Sequence, residues 1–238
     1  MIPEYLVFAH NNEMWHYAEK RWEEISEKAI REKGWFTVAL SGGKTPTGFY
    51  QYLSRRHDLP WEKTHLFLVD ERFVPWDFPE SNHRMLREHL LGKVRIPSEN
   101  IHPISTGEPS PDISAKKYEE ELRLFFKLTK SNLPEFDLIL LGIGEDGHTA
   151  SLFPGNDALK ETKHLVVPVK PVTAPMDRIS LTLPVINNSW NVIFLVCGQR
   201  KRAVMRIVRG GDDKTLPASK VSPKRGRLLF LMDREAAG

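Results

Sequence analysis

The sequence predicts an α/β protein: a doubly wound, mostly parallel β-sheet with helices on both faces, in a single domain over residues 1–238. Three observations predict it. Strand-like apolar runs alternate with helical patterns almost end to end, the order that builds βαβ units. The runs 136–141 and 192–197 are nearly continuous in apolar residues, as strands covered on both faces are. Four runs empty into polar or glycine-rich loops, as strands do at the carboxyl edge of an open sheet. No internal repeat, low-complexity segment or linker interrupts the pattern.

Taken in order, 6–8 reads as a short strand. The stretch 13–33 reads as a helix, with Trp15, Ala18, Trp22, Ile25 and Ala29 recurring at threes and fours, Asn11 or Asn12 as its cap and Gly34 as its stop. Residues 36–40 form the next strand, and 47–56 the next helix. Residues 65–69 are a strand leading into Asp70, Glu71 and Arg72. Helices follow at 81–91 and 112–130, the latter capped by Asp112. Strands are expected at 136–141, 165–169, 178–183 and 192–197. A helix over 200–209, with Ala203, Val204, Ile207 and Val208 as its buried stripe, precedes a last strand at 227–232. Segments 73–80, 97–111 and 210–226, rich in Pro, Gly, Ser and charge, read as loops over the sheet edge.

Composition narrows the function classes. The chain is 40% hydrophobic and 27% charged, enough apolar content for a substantial core in an ordinary soluble protein. A net charge of +3 suits an anionic small molecule and is weak support for nucleic acid, which wants a stronger cationic stripe. No run approaches the roughly 18 apolar residues of a membrane span, and the N-terminus lacks a signal pattern, so a cytoplasmic location is expected. The single cysteine, Cys197, excludes an intramolecular disulfide and reads as a buried strand residue.

The chemistry concentrates in the four loops. The first is Ser41, Gly42, Gly43, Lys44, Thr45 and Pro46. Its glycines let backbone N–H groups approach an anion at a helix N-terminus. It is not a Walker loop, and the Ser41-x-x-Lys44 spacing of some serine acylases is too short and common to carry a nucleophile. The second loop carries Asp70 and Arg72. The third carries Glu145, Asp146, Gly147 and His148. An imidazole titrates near neutrality, so His148 at a strand end is placed for acid–base work. Asp146 and His148 could chelate a metal, but no further ligand cluster with the right spacing accompanies them. The fourth carries Arg200, Lys201 and Arg202 in what reads as a first helical turn, where cations oppose the helix dipole unless an anion binds there. In a parallel sheet all four loops meet on one edge.

These loops, in this order, resemble the glucosamine-6-phosphate isomerase/6-phosphogluconolactonase family over nearly the whole chain. The resemblance rests on Ser41 to Pro46; on Asp70, Glu71 and Arg72 with Val74, Pro75, Ser81 and Asn82; and on the run from Gly142 to Pro154, the most specific of the set. Arg178 to Pro184 with Ile186 and Asn187, then Gly198, Lys201, Pro217, Ala218, Val221 and Pro223, complete it. Isomerase-deaminase members carry an additional glutamate after the Asp-Gly-His, where this chain has Thr-Ala-Ser-Leu-Phe-Pro, and an aromatic residue where this chain has Arg72. Both differences favour the lactonase branch. Lactonases often carry Trp shortly before the aspartate matched by Asp233, where this chain has Phe230, Leu231 and Met232.

The resemblance implies a Rossmann-like, glucosamine-6-phosphate isomerase-like fold that hydrolyses 6-phospho-D-glucono-1,5-lactone, in the oxidative pentose phosphate pathway. It implies His148 as general base, Asp146 as its support and Asp70 lining the sugar site. Arg178 and Lys201 become the main phosphate partners, with Ser41, Gly42, Gly43 and Lys44 or Arg72 nearby. No cofactor, metal, nucleic acid or membrane is implied, and a monomer or weak homodimer is expected. The rivals are a sugar-phosphate isomerase or deaminase, and a sugar-phosphate sensing domain. A sensor needs an attached DNA-binding module, for which the opening residues leave no room.

Overall fold

A computed structural model describes residues 2–129, 131–171, 175–211 and 215–238. Its centre is a seven-stranded sheet of β1 (Glu4–Phe8), β2 (Phe36–Leu40), β3 (Thr64–Leu68), β5 (Ile101–His102), β6 (Leu138–Leu141), β9 (Asn191–Val196) and β10 (Arg227–Asp233). The spatial order is β1-β10-β9-β6-β2-β3-β5, and every neighbouring pair is parallel. All residues of β2 and β6 are buried, as expected of central parallel strands covered on both faces. The helix α1 (Asn11–Lys33) packs across β2 and β10 through Met14, Trp15, Ala18, Trp22, Ile25 and Ala29. Trp22 meets Phe36 edge-on and lies against Trp61, extending the core.

A second, three-stranded sheet departs from the expected single sheet. It contains β4 (Asp70–Arg72), β7 (Val166–Val169) and β8 (Arg178–Leu181), in the order β4-β8-β7 and antiparallel throughout. The segment expected as a loop after the third strand is therefore itself a strand. Helix α4 (Pro111–Phe125) covers this small sheet, and its Glu119 carboxylate accepts the Leu165 N–H at 2.8 Å.

Other boundaries move for local reasons. Asn11 lies inside α1, its amide oxygen facing the Cys197 thiol at 3.7 Å, so His10 takes the cap position without a side-chain bond. Ser110, not Asp112, caps α4, its hydroxyl accepting the Ile113 N–H at 3.3 Å, and Pro111 fills the first helical position. That helix ends at Phe125; Lys130, its expected end, lies outside the described residues. Segment 97–111, expected as loop, contributes the edge strand β5. Within 210–226, residues 212–214 lie outside the described residues. The strand expected at 178–183 stops at Leu181, and a short helix, α5 (Leu183–Asn187), follows.

Helix α2 (Lys44–Leu53) starts three residues earlier than the pattern suggests, and α3 (Asn82–His89) is capped by Ser81. Arg200 and Lys201 occupy a 3₁₀ turn ahead of α6 (Arg202–Gly210) rather than its first turn. The buried stripe of α6 is Val204, Met205 and Val208, while Ala203 and Ile207 are exposed. A short α7 (Arg234–Ala237) closes the chain.

Candidate active site

Strand register brings the loops level. Leu40 of β2 pairs with Leu68 of β3 and Leu140 of β6, and Leu141 pairs with Phe194 of β9. Ser41, Gly142 and Gly198 therefore leave adjacent strands on the same edge. After β2 the chain runs first to β3 on one side and later to β6 on the other. The crevice between loops one and three is thus the switch point, where open α/β sheets bind ligands. A cavity of about 690 Å³ opens there, lined by parts of all four expected loops. Ser41, Gly42, Gly43, Lys44, Asp70, Arg72, His148, Arg178 and Lys201 all reach its wall.

Asp146 stands behind the wall and holds His148. Its Oδ1 accepts from His148 Nδ1 at 2.6 Å and from the His148 backbone N–H at 3.1 Å. With Nδ1 committed as donor, Nε2 is the basic nitrogen. The loop that makes this possible is tight: Gly144 N–H donates to the His148 carbonyl at 2.8 Å. A Cβ on Gly144 would stand 2.1 Å from His148 Nδ1 and 2.4 Å from Asp146 Oδ1, so only glycine fits. Phe153 packs against the imidazole, ring centroids 4.6 Å apart.

The small sheet supplies the cations. Arg72 and Arg178 are direct partners across the β4/β8 ladder, a like-charge pairing that destabilises a sheet unless something negative joins it. Both guanidinium Nε atoms are buried without a hydrogen-bond partner among the described residues. Burial, then the Arg72 charge, pull the Arg178 pKa below the usual arginine value, against the pull of Asp70 and Glu71. Arg72 is steadied by donation to the Glu80 carbonyl. Lys201 is half-buried, and burial lowers its pKa against the neighbouring Glu145 and Asp146. Lys44 is exposed at the start of α2, and Arg200, also exposed, pairs with Glu145 across the rim at 3.8 Å.

Three residues of the site had no role assigned from the sequence. Asn82, buried at the start of α3, donates from Nδ2 to the Asp70 carbonyl at 2.9 Å. Its side chain fills the space a Cβ on Gly42 would need. Glu71, fully buried, accepts the Arg72, Asn82 and His83 N–H groups at 2.7 Å each. Burial raises its pKa while those donors oppose the rise. Ser151 donates to Asp70 Oδ2 at 2.6 Å. All three stand within the runs that carry the family pattern, where nothing in the sequence assigns them a role of their own. Cys197 corrects a reading: it lies beyond the end of β9, on the cavity wall, and burial pushes its thiol up to about 12.

The family model for glucosamine-6-phosphate isomerases/6-phosphogluconolactonase matches residues 9–230. The chain belongs to this family. Among its relatives, a 6-phosphogluconolactonase of Synechocystis is 44% identical over 211 residues, 88% of this chain and 86% of that one. A solved 6-phosphogluconolactonase from Trypanosoma brucei superposes with a TM-score of 0.85 at 31% identity, covering 99% of this chain and 98% of the other. A monomeric glucosamine-6-phosphate deaminase reaches a TM-score of 0.81 at 21% identity, over 98% of each chain, which shows the shared fold alone. No described helix is long and apolar enough to cross a membrane.

Proposed function

We propose that the chain hydrolyses 6-phospho-D-glucono-1,5-lactone to 6-phosphogluconate, with His148 as general base toward water. The observation that carries this reading is the His148–Asp146 bond, at 2.6 Å, in a cavity that also presents Arg72, Arg178 and Lys201. His148 Nε2 takes a proton as the water oxygen attacks C1. The tetrahedral oxyanion then collapses, the bond from C1 to the ring oxygen breaks, and the imidazolium returns the proton to that oxygen. Asp146 keeps the imidazole in the tautomer the step requires and stabilises the imidazolium. The arginine pair and Lys201 hold the phosphate dianion, and Asp70 accepts from a sugar hydroxyl. The reading includes a metal-independent, cytoplasmic enzyme that acts as a monomer or weak homodimer.

The test is hydrolysis of freshly generated lactone, measured above its spontaneous background. His148→Ala should lower kcat by about 10²- to 10⁴-fold, and near-normal turnover would remove His148 from the mechanism. Charge-assisted bonds contribute about 1.5–3 kcal/mol each, so Lys201→Ala should raise KM roughly tenfold or more. Ammonia released from glucosamine 6-phosphate, with no lactone turnover, would overturn the lactonase reading.

A further inference from the structure

We propose that Ser151 is a positioning residue of this site, holding Asp70 and fixing the spacing between the His148 loop and the arginine-bearing strands. The inference rests on the lactonase reading above.

Asp70 is buried, 5% exposed, at the cavity wall. Its carboxylate has one short bond, Ser151 Oγ to Oδ2 at 2.6 Å, within the range of charge-assisted O–H···O⁻ contacts. Among the described residues Oδ1 has only Asn82 Nδ2, at 3.5 Å, and it is the acceptor left for a substrate hydroxyl. Ser151 is fully buried and makes a second tie, its N–H donating to Ser180 Oγ at 3.2 Å. Ser180 stands directly opposite Asp70 in the β4/β8 ladder, two residues from Arg178, as Asp70 is from Arg72. One residue therefore fastens both cationic strands to a point three residues beyond His148.

The backbone is bent to deliver it. Leu152 N–H donates to the Thr149 carbonyl at 2.9 Å, closing a turn. Ala150 takes φ +51° inside that turn, a left-handed conformation that costs a non-glycine residue about 1–2 kcal/mol. Thr149 Oγ1 anchors the turn to the Gly142 carbonyl at 2.9 Å. Strain beside a functional group persists when surrounding contacts hold it in place, and the Ser151 bonds are such contacts.

A double-mutant cycle tests the role, using wild type, Ser151→Ala, Asp70→Asn and the double variant. If Ser151 acts through Asp70, S151A lowers kcat/KM about tenfold alone and less than about twofold in the D70N background. Equal losses in both backgrounds mean a purely structural serine and overturn the proposal. Calorimetric binding of 6-phosphogluconate to the same four proteins gives a second readout where D70N turnover sinks into the background reaction: S151A should weaken binding only where Asp70 is present, and equal weakening in both overturns the role. Should S151A fail to fold, Ser151→Cys, which keeps the volume and a weaker donor, takes its place in the cycle with the same criterion. A wild type without lactone turnover overturns the underlying reading instead.

Discussion

Gly144 is the residue on which the His148–Asp146 bond depends most directly. A methyl group there would lie inside van der Waals distance of both partners. Gly144→Ala should therefore leave the protein folded, because the clash falls on two part-exposed side chains rather than on the core. It should still cut kcat by about 10²-fold, the usual penalty for roughly 1 Å of misplacement. Steady-state kinetics beside a thermal melt checks this, and normal kcat would show that the pair tolerates displacement. The dyad was legible in the sequence because its members are two residues apart. The need for glycine at 144 was not, since it depends on where two side chains turn.

At the scale of elements, α4 is closed, two residues past its end, by a non-glycine residue in a left-handed conformation. Lys127 has φ +52°, and Leu128 N–H reaches back to the Arg123 carbonyl at 2.9 Å, a Schellman closure. Lys127→Gly should raise stability by about 0.5–1 kcal/mol, read as a higher denaturation midpoint, because glycine meets that conformation without a Cβ penalty.

The edge strand β5 is held by a side-chain chain rather than by length. His65 Nδ1 lies 3.1 Å from His102 Nε2, and His102 Nδ1 lies 2.8 Å from Glu121. Burial, reinforced by His102, lowers the His65 pKa to about 4. Its unfolded value is higher, so the unfolded chain binds the extra proton between pH 6.5 and 4. The stability that neutral His65 contributes is present above that window and lost as pH falls through it. Urea midpoints at pH 7 and 4.5 should show His65→Phe losing about 1–2 kcal/mol less than wild type on acidification. Equal losses would place the acid sensitivity elsewhere.

At the scale of the molecule, the site spans two sheets, so a ligand that bridges them should stabilise the whole fold. Binding of 6-phosphogluconate at about 100 times its Kd should add roughly 2.7 kcal/mol. The rise in Tm should persist in His148→Ala, which keeps Arg72, Arg178 and Lys201, and shrink in Arg178→Gln. An undiminished rise in the latter would move the anion away from the arginine pair.

The same scale explains what could be read in advance. Apolar runs and loop chemistry are properties of neighbouring residues, so the sequence by itself determined the succession along the chain of the longer strands and helices, the glycine loops, and the Asp146–His148 pair. It did not determine that Asp70 to Arg72 form a strand against Arg178 to Leu181, because a three-residue strand has no periodicity to detect. Nor did it show Ser151 on Asp70, 81 residues away, or Asn82 under Gly42. Those contacts arise from sheet register, and register is fixed only when distant segments pack together. Tertiary structure alone decided that Arg72 and Arg178 face each other across a ladder on the wall of the cavity that His148 also lines.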